Sequence, residues 1–301
     1  MKALDSWASL FRAGNSVSGV FGVLLGSILA SRGLPSGDFA TITALHSISV
    51  MTFMFSWNAL NDYMDIEIDR TNRPDRPLPS GAISLESARR GIQITGFISA
   101  MSLVLAGYVS SAGILGLSGW APSVAIWLFA VVLLFNYESN SRFSYKMKDK
   151  GLPGNIAISL SVGLVIIFGA ASVSKPLDAR SWAVFLIGFL YNLSREVVKD
   201  IEDIEGDEGR DTFAMRVGVE RAREVAAVLL LLALVAILSP FLPFFQIFTD
   251  WHVVFVIPAI VSLMMVKSRL FAKEDSAAQK QIKRSMQLCL FSFLLISLIP
   301  S

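Results

Sequence analysis

The stretch that decides the fold reads Asn61-Asp62-Tyr63-Met64-Asp65-Ile66-Glu67-Ile68-Asp69, and it lies where an apolar segment meets a charged loop. Its aspartates, Asp62, Asp65 and Asp69, are spaced three and four residues apart. At about 100° per helical residue, this spacing places them within one narrow arc of a helix. The sequence therefore predicts an acidic face at the end of an apolar helix.

A second copy of this acidic pattern comes later in the chain, in Asp200, Asp203 and Asp207. Six carboxylates on two such helix faces would repel one another strongly unless cations lay between them. Magnesium takes hard oxygen ligands and is usually completed by the phosphates of a substrate. We therefore predict a magnesium site to which both copies contribute.

Apolar segments make up most of the chain, which has 301 residues, is 53% hydrophobic and has a mean hydropathy of +0.59. A soluble protein would need a very large core to bury so much apolar surface. Nine stretches have roughly the length of about 20 residues that spans a bilayer, at about 15–32, 38–60, 88–109, 121–140, 153–173, 180–199, 222–243, 251–267 and 284–300. The sequence thus predicts an all-α, polytopic membrane protein with nine transmembrane helices.

Basic residues are distributed unequally between the two sides of this predicted topology. With nine spans, only Arg32, Lys175 and Arg180 of the 26 Lys and Arg residues lie on one side. Cations concentrate in cytoplasmic loops, so we predict that both acidic motifs face the cytoplasm from the cell membrane. Membrane topology and the loops explain where the Lys and Arg residues lie, so we predict no nucleic-acid partner. The one cysteine, Cys289, lies in the last apolar stretch, which excludes a disulfide framework.

The order of spans and motifs indicates an internal repeat. Four spans precede residue 141, four more run to residue 267, and in each half the acidic motif follows the second span. We predict a single domain, 1–301, with repeat 1 at about 10–140, repeat 2 at about 150–270 and an extra helix at about 284–300. Parallel repeats of this kind place a site between them. The alternative is a coincidence between two acidic loops.

Basic side chains accompany both acidic motifs. Arg73 and Arg76 follow the first, Lys199 precedes Asp200 in the second, and Lys148 lies in the loop between the fourth and fifth spans. Arg and Lys bind phosphate oxygens, so the combination predicts a diphosphate joined to the protein through metal ions. The alternatives are a solvated loop of mutual salt bridges and, for Lys148, a simple topology signal.

A metal-bound diphosphate beside apolar spans suggests prenyl transfer. Departure of an allylic diphosphate leaves a carbocation, and apolar helices would bury the isoprenoid chain and exclude water. Aromatic faces stabilise positive charge, and Tyr137 and Tyr191 near the ends of the fourth and sixth spans are candidates. The alternative is that both tyrosines belong to an interfacial belt.

At these residues the chain resembles the UbiA-type intramembrane prenyltransferases. The first motif matches the family signature Asn-Asp-x-x-Asp-x-x-x-Asp at every fixed position, and the second matches it through Asp203-x-x-x-Asp207. The resemblance implies a bundle of nine helices and two magnesium ions that bridge a prenyl diphosphate. It implies metal-site residues Asn61, Asp65, Asp69, Asp203 and Asp207, the four aspartates being catalytic, with Asp62 and Asp200 as ligands or as supports of ligands.

Within this family, the loops at 72–81 and 195–207 resemble those of archaeal digeranylgeranylglyceryl phosphate synthases. That resemblance implies transfer of a geranylgeranyl group to the hydroxyl of geranylgeranylglyceryl phosphate, a lipid-like acceptor, in archaeal ether-lipid synthesis. Cations available for the acceptor phosphate are Arg12, Arg70, Lys146 and Arg216, which are alternatively topology determinants. An aromatic quinone precursor or a chlorophyll-like acceptor is the alternative, because such enzymes share parts of these loops.

Two other classes of membrane protein fit the sequence less well than a prenyltransferase. A cation transporter would carry ionisable residues near the bilayer midplane, whereas the acidic residues here lie at the ends of spans. A CDP-alcohol phosphotransferase would need an Asp-Gly-x-x-Ala-Arg element after the first acidic pair, and the sequence has none.

Overall fold

The computed structural model describes residues 3–113, 116–138, 142–204 and 211–299, and within these ranges the chain is helical without β-strands. The helices are α1 Ala3–Leu10, α2 Ala13–Ser31, α3 Asp38–Met64, α4 Ile66–Asn72, α5 Leu85–Ala112, α6 Gly116–Glu138, α7 Leu152–Ser172, α8 Ala179–Glu202, α9 Phe213–Val217, α10 Val219–Leu238, α11 Ile257–Phe271 and α12 Asp275–Leu298. Short 3₁₀ helices occupy Met147–Asp149, Ser239–Phe241 and Asp250–Val256.

A long helix forms at each of the nine predicted apolar stretches, but they are not equally apolar. In the described part of the chain, seven helical segments are long and apolar enough to cross a membrane: Ala13–Ser31, Asp38–Met64, Leu85–Ala112, Gly116–Glu138, Leu152–Ser172, Val219–Phe241 and Asp250–Phe271. Helices α8 and α12 are not among these seven segments, because each carries several charged residues at its end near the acidic motifs. The protein is thus an all-α, multi-pass membrane protein.

Helix packing follows the same pattern in the two halves. In the first half α3 packs against α2 and α5, and in the second half α8 packs against α7 and α10. The two halves meet where α2 packs along α7. Small residues allow helices in a membrane to approach closely, and here a Cβ at Gly26 or Gly169 would overlap a backbone carbonyl of the other helix. This contact brings the motif-bearing ends of α3 and α8 to the same end of the bundle.

The second half contains the largest apolar core, formed by α8, α10, α11 and α12. Phe293 of α12 is fully buried there and stacks with Phe241, with ring centroids 6.0 Å apart. A hydrogen bond of 2.8 Å joins the hydroxyls of Tyr191 on α8 and Ser285 on α12. These contacts set the position of α12 beside α8.

Polar side chains of several spans form hydrogen bonds within the protein, and His46 is an example. His46 of α3, which is fully buried, pairs through Nδ1 with the carbonyl oxygen of Ile42 at 2.9 Å and through Nε2 with the Ser123 hydroxyl at 2.8 Å. Apolar surroundings make an unpaired polar group costly. His46 is therefore a packing residue of the span.

Candidate active site

A cavity of about 1220 Å³ lies between the helices, and both acidic motifs contribute to its wall. From the first motif, Asn61, Asp65 and Asp69 line it, and from the second motif Asp203 does so. Asp207 falls outside the described residues. The structure thus places carboxylates from two distant parts of the chain on one cavity.

The middle aspartate of each motif terminates its helix in nearly the same backbone conformation. Asp65 follows α3 with φ −87° and ψ 7°, and Asp203 follows α8 with φ −87° and ψ 0°. Each donates its backbone N–H to the carbonyl four residues earlier, at 3.0 Å in both cases. Because the helix stops at these residues, both side chains lie at the mouth of the cavity.

Cationic side chains hold the carboxylates of the first motif. Arg76 contacts Asp69 at 2.6 Å and Asp62 at 3.1 Å. Arg12, which has a left-handed backbone conformation with φ 47° before α2, contacts Asp62 at 2.6 Å and donates to Asn61 Oδ1 at 3.1 Å. Asn61 in turn donates to Asp65 Oδ2 at 3.5 Å. These bonds order the mouth of the cavity in the first half.

Lys148 crosses from the loop after α6 to the first motif. Its Nζ lies 2.7 Å from Asp65 Oδ2 and 2.7 Å from Glu138 Oε1, and all three side chains line the cavity. Sequence reasoning selected Lys148 but missed Glu138, the last residue of α6, whose side chain is only 3% exposed. A single acidic residue at the end of an otherwise uncharged 23-residue helix was the available signal.

The second motif is arranged around different partners. Asp200 accepts hydrogen bonds from Asn155 Nδ2 at 2.8 Å and from the backbone N–H of Phe213 at 3.3 Å. It lies at the loop end of α8, beyond the apolar span, where burial raises the pKa of its carboxyl to about 6 despite these two bonds. Glu196 lies one helical turn before Asp200 and, unlike Asp200, lines the cavity. It contacts Arg195 at 2.9 Å and Lys199 at 3.9 Å.

The first aspartate of each motif is absent from the cavity wall. Asp62 is only 4% exposed and is held by two arginines, and Asp200 is held by an amide and a backbone N–H. Neither contributes to the lining. Their placement does not support the predicted metal ligation, because the side chains are directed to protein donors instead.

The two tyrosines expected to stabilise a cation are also separated. Tyr137 lines the cavity, whereas Tyr191 is fully buried, pairs with Ser285 and is not part of the lining. The cavity wall also carries a cluster of three aromatic side chains, Phe53, Trp57 and Trp127, that the sequence analysis did not identify. Phe53 lies 5.7 Å from Trp57 in a stacked pair and 6.0 Å from Trp127 in an edge contact. The four-residue spacing of Phe53 and Trp57 on α3 was the signal for a shared face.

The remaining predicted cations divide into two groups. Arg73, Arg76, Lys148 and Lys199, predicted for the diphosphate, all line the cavity. Of the four cations considered for an acceptor phosphate, only Arg12 does. Arg70 pairs with Glu67 at 2.8 Å and Arg216 pairs with Asp211 at 2.7 Å, both in exposed positions, and Lys146 is exposed on its loop.

Comparison with known proteins gives a match to the UbiA prenyltransferase family over residues 19–294. The chain belongs to the UbiA prenyltransferase family. It is 32% identical to a digeranylgeranylglyceryl phosphate synthase of Methanopyrus kandleri, over 97% of this chain and 98% of that protein. It is 33% identical to the enzyme of the same name from Haloquadratum walsbyi, over 92% of this chain and 89% of that one.

Solved structures of UbiA-family proteins have the same fold. One, from a study of digeranylgeranylglyceryl phosphate synthase in membranes, is 26% identical with a TM-score of 0.71 and covers 99% of both chains. A UbiA homologue from Archaeoglobus fulgidus, bound to GPP and Mg²⁺, is 14% identical with a TM-score of 0.62, and the match covers 97% of this chain and 99% of that one. The second likeness concerns the fold alone.

The carboxylates of this UbiA-family cavity suit a magnesium ion that is bound partly by the protein and partly by a substrate. Among the described residues, no three acidic, His or Cys side chains converge closely enough to hold a metal ion by themselves. Magnesium rarely occupies an all-protein cage and is usually bound by one or two carboxylates together with substrate phosphates. Asp65, Asp69 and Asp203, which all line the cavity, fit that mode if a substrate phosphate supplies the remaining oxygens.

Proposed function

We propose that this chain transfers a geranylgeranyl group from its diphosphate to the hydroxyl of geranylgeranylglyceryl phosphate, with divalent metal ions as cofactors. The observation that carries the proposal is the cavity itself, which combines acidic and basic side chains at its mouth with an apolar and aromatic body. The choice of acceptor is supported by relatives at 32% and 33% identity that are named digeranylgeranylglyceryl phosphate synthase.

Metal binding is assigned to the residues of the cavity wall. We propose Asn61, Asp65, Asp69 and Asp203 as the residues that hold magnesium, two ions in all, together with Asp207 from the sequence pattern. Bound magnesium supplies electrostatic stabilisation of the leaving diphosphate. Asp62 and Asp200 orient the helix ends from behind, through Arg12 and Arg76 in one half and Asn155 in the other.

Diphosphate binding is assigned to the cations of the same mouth. Arg73, Arg76, Lys148 and Lys199 line it, and both Arg and Lys form charge-assisted bonds with phosphate oxygens. Lys148 is positioned by Glu138 at 2.7 Å, so its ammonium is ordered before the donor arrives. Ordered donors cost little reorganisation when negative charge develops on the leaving group.

The apolar body of the cavity binds the prenyl chains and excludes water. The bond between C1 of the donor and its diphosphate breaks, the acceptor oxygen forms a new bond to C1, and one proton leaves the acceptor hydroxyl. Water exclusion protects the allylic cation from hydrolysis. Aromatic faces of Trp57, Trp127 and Tyr137 on the wall can stabilise its positive charge.

We further propose nine membrane spans, with the cavity mouth facing the cytoplasm and two repeats built around α2 and α7. Among the described residues, nine long helices and the matching packing of α3 with α5 and of α8 with α10 support this arrangement. The charge asymmetry of the loops, with only Arg32, Lys175 and Arg180 on the far side, supports the orientation.

The test is transfer by the purified protein in detergent or vesicles, with radiolabelled geranylgeranyl diphosphate and geranylgeranylglyceryl phosphate. We expect a diether product that requires magnesium and disappears with a chelator. Transfer to an aromatic acceptor but not to geranylgeranylglyceryl phosphate would move the chain to a quinone-type function. No transfer to any acceptor by folded protein would refute prenyl transfer.

A further inference from the structure

We propose that Lys283, assisted by Gln287, binds the phosphate of the lipid acceptor from α12, a role that rests on the proposed function. Neither residue belongs to an acidic motif, and sequence reasoning selected neither of them. Both side chains are exposed to the cavity and line its wall. Through this contact, the enzyme would select an acceptor that carries a phosphate.

Most of the cationic side chains on the cavity wall are paired with a carboxylate. The Lys and Arg side chains of the lining are Arg12, Arg73, Arg76, Lys148, Arg195, Lys199 and Lys283. All but Arg73 and Lys283 have a carboxylate within 4.0 Å. In the parts of the chain that the structure describes, Arg73 and Lys283 make no ion pair. Arg73 directly follows α4 and belongs to the diphosphate site, which leaves Lys283 for another anion.

Helix α12 lines the cavity with both polar and apolar side chains. Lys283, Met286, Gln287, Leu290 and Phe291 line the cavity, and this spacing places them on one face of the helix. The charged and amide groups lie toward the start of α12, and the apolar groups follow deeper in the bundle. A molecule with an anionic head and an apolar tail matches this order. The prenylated glyceryl phosphate has that chemistry, whereas a neutral aromatic acceptor does not.

Lys283 lies deeper in the bundle than the acidic mouth. The hydrogen bond between Tyr191 and Ser285 sets the register of α8 against α12, which run in opposite directions. Lys283 is two residues nearer the loop than Ser285, so it lies about one helical turn deeper than Glu196. A phosphate held there would sit below the proposed diphosphate site.

The energetics agree with an anionic ligand at this position. Lys283 immediately precedes the predicted span at about 284–300, and an ammonium group at the edge of an apolar helix is stabilised when it is paired or hydrated. The acceptor phosphate would supply that partner, and the Gln287 amide could donate a further hydrogen bond one turn away on the same face. The cations that we assign to the donor diphosphate, Arg73, Arg76, Lys148 and Lys199, need not be shared with the acceptor phosphate.

The experiment compares the wild type with Lys283→Gln and Lys283→Arg, with Lys280→Gln as the matched control. Lys280 is an exposed lysine on the same helix that does not line this cavity. Apparent KM values for donor and acceptor are measured separately, and the assays are repeated with geranylgeranylglycerol, which lacks the phosphate. We expect Lys283→Gln to raise the KM for geranylgeranylglyceryl phosphate about tenfold or more, with the donor KM unchanged.

Lys283→Arg should retain most of the acceptor affinity because it keeps the charge, and Lys280→Gln should behave as the wild type. With geranylgeranylglycerol, wild type and Lys283→Gln should have the same KM, which a merely structural defect would not produce. An unchanged acceptor KM in Lys283→Gln, or an equal rise for donor and acceptor, would overturn this inference. A wild type that does not use geranylgeranylglyceryl phosphate at all would instead refute the proposed function.

Discussion

The two acidic motifs share a backbone arrangement but differ in the groups that hold them. In both, the first aspartate is withdrawn from the cavity and the middle aspartate ends a helix at the cavity wall. In the first motif, Asp62 is held by the charged partners Arg12 and Arg76. In the second, Asp200 is held by neutral donors, the Asn155 amide and a backbone N–H.

This difference separates what the two halves share from what each half adds. The shared helix end places Asp65 and Asp203 on the wall of one cavity, where we propose that they bind a common ligand. The neighbouring cations differ, because Arg76 and Lys148 contact aspartates of the first motif directly, whereas Arg195 and Lys199 contact Glu196 in the second. We infer equal roles for the two middle aspartates and unequal roles for the surrounding charges.

The largest expected effect tests the shared part of this comparison. Asp65→Ala and Asp203→Ala should each lower kcat/KM for transfer by about 10³-fold or more, because each removes a wall carboxylate that we propose holds the magnesium needed to stabilise the leaving diphosphate. Transfer assays measure the loss, and size-exclusion chromatography with circular dichroism verifies that the variants remain folded. If one variant kept near wild-type activity, the two helix ends would not be equivalent.

The next prediction concerns Lys148, whose ammonium contacts Asp65 of the first motif directly. Lys148→Met should raise the KM for the prenyl diphosphate about tenfold to a hundredfold, since one charge-assisted phosphate contact is lost. Glu138→Gln should give a smaller rise, because Lys148 then keeps Asp65 but loses the buried Glu138 carboxylate at 2.7 Å. Kinetics at saturating acceptor measure both.

Lys150→Met is the matched control for Lys148→Met, since Lys150 is exposed on the same loop and does not line the cavity. A donor KM that rises equally in the Lys150 and Lys148 variants would show a general effect of loop charge. A Glu138→Gln enzyme more impaired than Lys148→Met would give Glu138 a role beyond positioning.

A third prediction concerns stability rather than activity. Asp62→Asn leaves Arg12 and Arg76 without one carboxylate and should lower the unfolding free energy by about 1–3 kcal/mol. Asp200 accepts its hydrogen bonds from neutral donors, the Asn155 amide and the Phe213 N–H. Asp200→Asn therefore breaks neither an Arg nor a Lys contact of this kind and should lower the unfolding free energy by less. Thermal unfolding in one detergent compares the two variants, and a greater loss in Asp200→Asn would contradict the distinction between charged and neutral support.

The smallest effect is a pH dependence of the second motif. Burial raises the pKa of Asp200 to about 6 from the ordinary value of 3.8, so the folded state binds this proton more tightly than the unfolded state. The contribution of Asp200 to stability is therefore present at low pH and is lost as the pH rises between these two values. Thermal unfolding across this range should show Asp200→Asn gaining stability relative to the wild type as the pH rises. A constant difference would contradict the burial of the carboxyl.

Several features follow from the sequence alone because they depend on local patterns. Uncharged stretches of bilayer length predict the long helices, and the three-and-four spacing predicts one acidic face per motif. Lys148, Arg73, Arg76 and Lys199 were identified from their proximity to these motifs, and all four line the cavity. The family signature of the first motif is likewise a short-range pattern.

Other features were decided only by the tertiary structure, because they depend on which distant groups meet. Asp62 and Asp65 look alike in sequence, but packing of α1 and α2 against α3 brings Arg12 onto Asp62 and leaves Asp65 on the cavity wall. Tyr191 is withdrawn from the cavity because α12 covers it with Ser285. The same position of α12 places Lys283 on the wall. A helical pattern specifies which side chains share a face, but long-range packing determines what that face meets.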